Sequence, residues 1–312
     1  MNKKWFNILK IVVSTGLLVY LFLTVDLGTF WATLRQARWE YLVLAGALML
    51  LGTALRALRW QVLLEAQAIH VPLRRLVELY FAGAFFNITL PTGLGGDAVK
   101  MMELGRTTGK VPEAIGTTLV DRAIGLWTLF VMALAALPFS YHLLPGDNGL
   151  YVLLLSVAAV VGGWVVMGTP LIPWLGSKIR LPGQESLERF YRSVSSLGYP
   201  ALGKACLVSL VFNIMLVLFN GLIATGLGVN LPWGIWLLFT PIISLSLALP
   251  ISIGGLGVRE QTVTILLGTM GVSASTSLAV SLMIYFLTNI VVGLVGGVWY
   301  GLEGARELAR SQ

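Results

Sequence analysis

The chain has 312 residues, and its composition excludes an ordinary soluble domain. Hydrophobic residues make up 57% of it and charged residues 11%, whereas soluble domains carry about 25% charged residues. The net charge of +7 comes from Lys and Arg residues that flank apolar runs, which indicates attraction to an anionic membrane surface and no nucleic-acid partner. The sequence therefore predicts an all-α polytopic membrane protein that forms a single membrane domain, residues 1–312.

Six apolar runs are long enough to cross a membrane, since a bilayer core of about 30 Å requires about 20 apolar residues. The first run follows a basic start of the chain and lacks a small-residue cleavage site, so we interpret it as a retained span rather than a signal peptide. The predicted spans lie near residues 8–25, 41–63, 115–138, 150–173, 205–226 and 276–301.

One eleven-residue pattern occurs twice, about half the chain apart. Residues 90–100 read LPTGLGGDAVK, and residues 249–259 read LPISIGGLGVR. Because proline and paired glycine end helices, each motif predicts the tip of a re-entrant helical hairpin. The helical limbs of these two hairpins are residues 76–90 and 97–108 in the first, and residues 234–250 and 257–268 in the second.

The distribution of Lys and Arg predicts the orientation of the chain, because short cytoplasmic loops are enriched in both residues. With both hairpins re-entrant, 17 Lys and Arg residues lie on the cytoplasmic side, two lie outside, and Arg122 and Arg259 lie within the membrane. An alternative, in which residues 232–250 form an ordinary span, would place Arg306 and Arg310 outside. The pattern favours a cytoplasmic membrane with both termini of the protein in the cytoplasm.

Three full spans precede the second half of the chain, so the second half enters from the opposite face and is inverted. We predict a first repeat over residues 1–140 and a second over residues 150–302, with a cytoplasmic linker at residues 174–204 that carries an amphipathic helix. Inverted repeats with broken helices at matching positions are typical of transporters whose site lies where the repeats meet.

The helix that follows each glycine pair carries charges at the depth of the membrane interior. Free backbone N–H groups at a helix start bind anions, and a cation one turn later strengthens the site. Asp97 is predicted to cap the first of these helices. An alternative left open is that the glycines only allow close packing and that the cations pair with Asp97 and Glu260. The candidates for binding a lipid phosphate are Gly95, Gly96, Asp97, Lys100, Gly254, Gly255, Arg259 and Glu260.

Two further sequences place charge in the apolar spans: RALRW, with Arg56 and Arg59, and VDRAIG, with Asp121 and Arg122. Ionisable residues at such depth usually face the interior of the bundle, so Arg56, Asp121 and Arg122 join the candidate site. Arg59 is equally well explained by snorkelling to the cytoplasmic boundary. Asp121 is predicted to pair with Arg56 or to relay a proton. No metal-ligand spacing or nucleotide-binding motif occurs, so no cofactor and no metal are expected.

Taken together, these motifs resemble the flippase-like family named for the transmembrane region of lysylphosphatidylglycerol synthases. The resemblance rests on RALRW, NITLPTGLGGDAVK, VDRAIG and LPISIGGLGVRE, and it covers nearly the whole chain. It implies an integral membrane fold that moves lipids between leaflets. Since the chain stops about ten residues after its last predicted span, without the aminoacyl-transferase domain of the bifunctional synthases, lipid aminoacylation is not expected.

The sequence therefore predicts a lipid flippase or translocase, and not an enzyme, for an anionic or phosphate-bearing lipid. Stand-alone members of the family are linked to several lipids, so the resemblance does not identify the substrate. The candidates include aminoacyl-phospholipids and polyprenyl-phosphate-linked lipids. A gradient of lipid or protons is the expected driving force. Two alternatives stay open: an intramembrane lipid-modifying enzyme and a small-anion secondary transporter. The expected partners are the lipid substrate and anionic headgroups at the cytoplasmic face, while a homo-oligomer is left open.

Overall fold

The computed structural model of the chain describes residues 26–89, 95–146, 148–168, 184–248, 252 and 255–299. Within these ranges the chain is helical apart from its turns, and they contain no β-strand. A π-helical turn, Phe286–Val291, continues the last helix, which then runs to Trp299. The helices are α1 (Leu27–Arg35), α2 (Trp39–Glu65), α3 (Leu73–Thr89), α4 (Gly95–Thr108), α5 (Val111–Ser140), α6 (Asn148–Gly168), α7 (Gln184–Gly226), α8 (Trp233–Ala248), α9 (Val258–Thr269) and α10 (Ala274–Tyr285).

Five of the described helices are long and apolar enough to cross a membrane. They coincide with five of the six predicted spans, while the remaining one, residues 8–25, lies outside the described residues. Large apolar side chains such as Val43, Trp164 and Leu207 point outward and are 60–70% exposed, as expected of helices that contact lipid. The all-α fold and the multi-pass membrane class are therefore confirmed. The five helices span Trp39–Glu65, Val111–Leu143, Asn148–Val166, Ser195–Gly226 and Ala274–Trp299.

Each glycine motif lies between two short helices that pack against each other, α3 with α4 and α8 with α9. The described parts of these helices have 17, 14, 16 and 12 residues, and a full span needs about 20. The order long, short, short, long in α2–α5 recurs in α7–α10. The break at each motif is thus confirmed. The re-entrant path of each hairpin stays a prediction. Residues 90–94, 249–251 and 253–254 of the two motifs lie outside the described residues.

α1 is a short helix that the sequence pattern did not predict. It begins after Asp26, whose carboxylate accepts hydrogen bonds from the backbone N–H groups of Gly28 (2.9 Å) and Thr29 (3.3 Å). The hydroxyl of Thr29 and these N–H groups hold the pKa of Asp26 below its usual value. The backbone N–H of Asp26 donates to the hydroxyl of Ser275, and this contact joins α1 to α10.

α7 combines a helix in the predicted cytoplasmic linker with a membrane span. Its backbone is helical from Gln184 but breaks at Gly198, where φ is +72°, just before Pro200. A positive φ favours glycine, and proline two residues later removes a backbone donor. The described part of the linker is therefore helical, and its amphipathic character stays a prediction. Residues 174–183 of the linker lie outside the described residues, and the position of the helix on the cytoplasmic surface stays a prediction.

α3 is held between two neighbours by glycines that allow backbone contact. A Cβ at Gly96 of α4 would overlap the carbonyl oxygen of Gly83 in α3, and a Cβ at Gly296 would overlap the carbonyl oxygen of Phe81. Small residues let helices approach this closely in membranes. α2 packs along α7, and α5 packs against both α4 and α7. These contacts bring the charged positions of α2, α3, α4 and α5 to one place.

Candidate functional site

Asp97, in the first turn of α4, is shared by two cations. Its Oδ1 lies 2.8 Å from the Nζ of Lys100, and its Oδ2 pairs with Nη2 of Arg122 in α5. Asp97 and Lys100 are buried, whereas the side chain of Arg122 is 47% exposed. One negative charge therefore faces two positive charges where α4 meets α5.

Asp121, in α5, lies at the centre of a second buried group. Its Oδ1 accepts a hydrogen bond from Nε of Arg59 at 2.6 Å, and its Oδ2 accepts one from the hydroxyl of Tyr80 at 2.8 Å. Arg59 also donates through Nη1 to the hydroxyl of Ser209 in α7 at 2.7 Å. All four residues are buried. Because both oxygens of Asp121 are used, this group ties α2, α3, α5 and α7 together.

The ring of Tyr80 joins the two groups. The Nζ of Lys100 lies 3.7 Å from the ring centroid, and the Cζ of Arg56 lies 5.4 Å from it. Trp60 meets the Tyr80 ring edge-on, with centroids 5.9 Å apart. Cations within about 6 Å of an aromatic ring are attracted to its face. We define the first-motif cluster as Arg56, Arg59, Tyr80, Asp97, Lys100, Asp121 and Arg122.

Arg56 differs from the other cations of the first-motif cluster because it has no carboxylate partner among the described residues. Its Nη2 lies 3.5 Å from the hydroxyl oxygen of Thr53, at the limit of a hydrogen bond. Its Nε is buried without a hydrogen-bond partner in the described part of the chain. The ring of Phe212 lies 5.6 Å from its Cζ. The charge of Arg56 is therefore not neutralised by the side chains described around it.

The second motif leads into a smaller group around Arg259, in the first turn of α9. Arg259 pairs through Nη2 with the carboxylate of Glu260, donates from Nε to Ser281 at 3.2 Å, and lies 4.7 Å from the ring of Tyr285. The other carboxylate oxygen of Glu260 accepts from the backbone N–H of Gly257 at 2.7 Å. Arg259 and Glu260 are fully buried. We define the second-motif cluster as these five residues, in which one cation meets one carboxylate.

The two clusters occupy matched positions in the sequence. A shift of 159 residues, the separation of the two motifs, places Lys100 on Arg259 and Arg122 on Ser281. Lys100 and Arg259 are both buried, and each lies against a tyrosine ring. Asp97 of α4 contacts Arg122, and Arg259 of α9 contacts Ser281 at the matched position of the next long helix. Such a correspondence is what an internal repeat produces.

The predicted cap of α4 is wrong. α4 is already helical at Gly95, so Asp97 lies inside the first turn and is not the residue that precedes the helix. Its carboxylate turns to Lys100 and Arg122 instead. Two nearby cations attract a carboxylate more strongly than a neutral backbone N–H does.

Two backbone N–H groups that the sequence predicted as donors to an anion instead donate hydrogen bonds to side chains of the protein. The N–H of Gly96 donates to Oδ1 of Asn87 in α3 at 2.7 Å, and that of Gly257 donates to Glu260. The sequence analysis missed Asn87. Its signal was a single amide side chain near the end of an apolar helix that stops at a proline, where unsatisfied backbone groups need partners.

The candidate glycines serve close packing and backbone conformation. Gly95 and Gly96 are buried in the first turn of α4, and Gly96 touches α3. Gly255 has a φ of +80°, which L side chains rarely adopt, and Leu247 fills the space that a Cβ would need. Gly254 lies outside the described residues. These positions agree with the alternative in which the glycines allow close packing.

The predicted partner of Asp121 is also wrong, because Asp121 pairs with Arg59 and not with Arg56. Gly125 of α5 makes room for Arg59, since a Cβ there would lie 2.6 Å from its Nη1. Arg59 is 3% exposed, so snorkelling does not explain it. Among the described residues, no hydrogen bond or ion pair joins the first-motif cluster to the second-motif cluster. The structure thus separates the candidate charges into two groups.

Fold and site together define a polytopic helical membrane protein that encloses buried charge, part of it without a partner of opposite sign among the described residues. The family model described as the lysylphosphatidylglycerol synthase TM region matches residues 7–296. The chain therefore belongs to this family, and the resemblance noted from its motifs is confirmed. Membership agrees with a role that involves membrane lipids.

A curated relative is similar over part of the chain. It is a UPF0104 membrane protein of Methanothermobacter thermautotrophicus, 29% identical over 153 residues. The match covers 48% of this chain and 45% of that protein, so the chain spans less than half the length of the relative. The name of this relative identifies a membrane protein and no substrate.

Proposed function

We propose that the protein is a lipid flippase or translocase that moves an anionic or phosphate-bearing lipid between the two leaflets. The observation that carries the proposal is the excess of positive charge in the first-motif cluster, where four cations accompany two carboxylates. Charge without a partner is costly at membrane depth and usually marks a functional site. A lipid phosphate would supply the missing negative charge. Family membership supports a lipid as the ligand.

In this proposal the headgroup passes the polar cluster while the acyl chains stay in the bilayer. The two short helix pairs enter from opposite faces as re-entrant hairpins, and both termini lie in the cytoplasm. Exposed arginines such as Arg74, which pairs with Glu78 at 3.0 Å, then lie where anionic headgroups of the cytoplasmic leaflet collect. No covalent bond is made or broken, and a lipid or proton gradient drives the movement.

A fluorescence assay in proteoliposomes tests the proposal. Vesicles with the purified protein would contain a phosphatidylglycerol or a phosphatidylcholine with a nitrobenzoxadiazole label, and dithionite would quench the label in the outer leaflet. We expect more quenching of the phosphatidylglycerol probe than in protein-free vesicles, and a smaller gain for phosphatidylcholine. Quenching equal to that in protein-free vesicles would refute a flippase.

A matched pair of variants links the activity to the site. Arg122→Gln removes a cation of the first-motif cluster, whereas Arg106→Gln removes an exposed cation in the last turn of α4. We expect only Arg122→Gln to slow movement of the phosphatidylglycerol probe. Uptake of radiolabelled inorganic phosphate into the same vesicles, without lipid movement, would instead identify a small-anion transporter.

A further inference from the structure

We infer that the first-motif cluster contains a binding site for one phosphate group, formed by Arg56 and Arg122 together with Lys100, and that the second-motif cluster is structural. The inference rests on the proposed function and narrows it, because it assigns the headgroup to one of two clusters that the sequence treats alike. Three observations carry it: the balance of charge, the arrangement of the cations, and the contrast with Arg259.

The balance of charge leaves two positive charges in the first-motif cluster. Arg59 has Asp121 for itself, at 2.6 Å. Lys100 and Arg122 share the single carboxylate of Asp97. Arg56 has no carboxylate among the described residues. A phosphodiester carries one negative charge and a phosphate monoester carries between about 1.5 and 2 at pH 7, so one phosphate group offsets most or all of this excess.

The cations with spare charge are linked by neighbours that they share. Arg56 and Lys100 face the same ring of Tyr80, at 5.4 and 3.7 Å from its centroid, and Lys100 contacts the same carboxylate as Arg122. Lys100 therefore shares the ring of Tyr80 with Arg56 and the carboxylate of Asp97 with Arg122. Guanidinium groups suit phosphate because their planar N–H donors can bind two of its oxygens.

One arginine of this site has a donor without a partner, and the other has an exposed side chain. The Nε of Arg56 is buried and lacks a hydrogen-bond partner among the described residues, and a buried donor left without a partner costs about 1–3 kcal/mol. The side chain of Arg122 is 47% exposed. A phosphate would therefore satisfy a buried donor on its inner side and meet a half-exposed guanidinium on its outer side.

Arg259 has neither an exposed side chain nor a donor without a partner among the described residues. It is 1% exposed, and its guanidinium is engaged by Glu260, by the hydroxyl of Ser281 and by the ring of Tyr285. Glu260 is in turn held by the backbone N–H of Gly257. The charges of the second-motif cluster thus cancel. A ligand would have to displace a buried ion pair to reach Arg259.

Calorimetric titration of the purified protein in detergent tests the site without any transport. The probes are inorganic phosphate and dihexanoyl phosphatidic acid, with dihexanoyl phosphatidylcholine for comparison. We expect the phosphatidic acid to bind more tightly than the phosphatidylcholine. Binding of the phosphatidic acid alone would identify a lipid phosphate as the ligand, whereas binding of both phosphate probes would show that the phosphate group suffices.

Three variants decide which residues bind. We expect Arg56→Gln and Arg122→Gln each to weaken binding of the phosphate probes by about tenfold or more, since each removes charge-assisted hydrogen bonds. Arg106→Gln should bind as the unmodified protein does. If Arg56→Gln does not fold, Arg122→Gln carries the test because its side chain is half-exposed.

Two results would overturn the inference: no binding of either phosphate probe to the unmodified protein, or unchanged affinity in the folded Arg56→Gln and Arg122→Gln variants. Binding that depends on Arg56 or Arg122, in a protein that moves no lipid in vesicles, would support the site and refute the transport proposal. The site and the flippase proposal are thus tested separately.

Discussion

Lys100 and Arg259 occupy matched positions after the two glycine motifs, and each places a buried positive charge against a tyrosine ring, at 3.7 and 4.7 Å. The two cations differ in whether they share their carboxylate partner with another cation. Lys100 shares Asp97 with Arg122, whereas Arg259 has Glu260 for itself. One motif therefore leads to charge in excess and the other to charge in balance, which is why we assign ligand binding to the first and stability to the second.

Removing the charge of Asp121 should destabilise the helix bundle. Asp121→Asn leaves Arg59 buried without a carboxylate, and breaking a buried ion pair in this way typically costs about 3–5 kcal/mol. Thermal unfolding in detergent, followed by loss of the monodisperse peak in size-exclusion chromatography, measures the effect. Glu40→Gln, in the exposed pair with Arg38, is the control and should change stability little. Equal stability of Asp121→Asn and the unmodified protein would contradict this prediction.

The contact between α3 and α4 should not tolerate a side chain at Gly96. Gly96→Ala places a Cβ on the carbonyl oxygen of Gly83 and on the amide of Asn87, so we expect a lower unfolding temperature and a lower yield of folded protein. Gly268→Ala is the control, because Gly268 is helical and its Cβ would meet nothing within 4 Å. Alanine there should be neutral or stabilise by up to about 1 kcal/mol. Equal effects of the two substitutions would rule out a tight contact at Gly96.

Cysteine labelling with an impermeant reagent checks the re-entrant path of α8 and α9. In a Cys206→Ser background, we expect label on His142→Cys, Asn230→Cys and Ser273→Cys in intact cells, and none on Thr107→Cys; all four substituted residues are exposed. If α8 and α9 together crossed the membrane once, Ser273 would lie in the cytoplasm. Protection of Ser273→Cys together with labelling of Asn230→Cys would therefore disprove the second re-entrant hairpin.

Glu260→Gln should separate stability from ligand binding. The substitution removes the charge that neutralises Arg259 and weakens the bond to the N–H of Gly257, so we expect a lower unfolding temperature. Affinity for inorganic phosphate should stay the same, because no hydrogen bond or ion pair among the described residues joins this cluster to Arg56 or Arg122. Arg122→Gln should show the opposite pattern, with binding lost and stability largely kept. A large loss of phosphate affinity in folded Glu260→Gln would contradict a structural role for this cluster.

The sequence alone determined the membrane class, the five spans among the described residues and the breaks at the two motifs. Hydropathy over about 20 residues is a property of one segment, and proline or paired glycine stops a helix whatever surrounds it. The repeated motif was also recognisable from the sequence, because it is a continuous stretch of eleven residues in which Lys100 and Arg259 follow equivalent glycines. The short helix α1 was not predicted, because the nine residues that follow its N-cap, Asp26, are too few to show a clear helical pattern.

The tertiary structure decided which charges meet. Arg56 and Arg59 lie three residues apart on α2, and the sequence does not specify which of them faces Asp121. The packing of α2 against α5 at Gly125 selects Arg59. The partners of an ion pair depend on the rotation and spacing of helices to within a few ångströms, and Arg59 and Asp121 are 62 residues apart in the chain. Only the packed bundle determines that spacing. With it, the bundle determines that Arg56 is the cation without a carboxylate among the described residues.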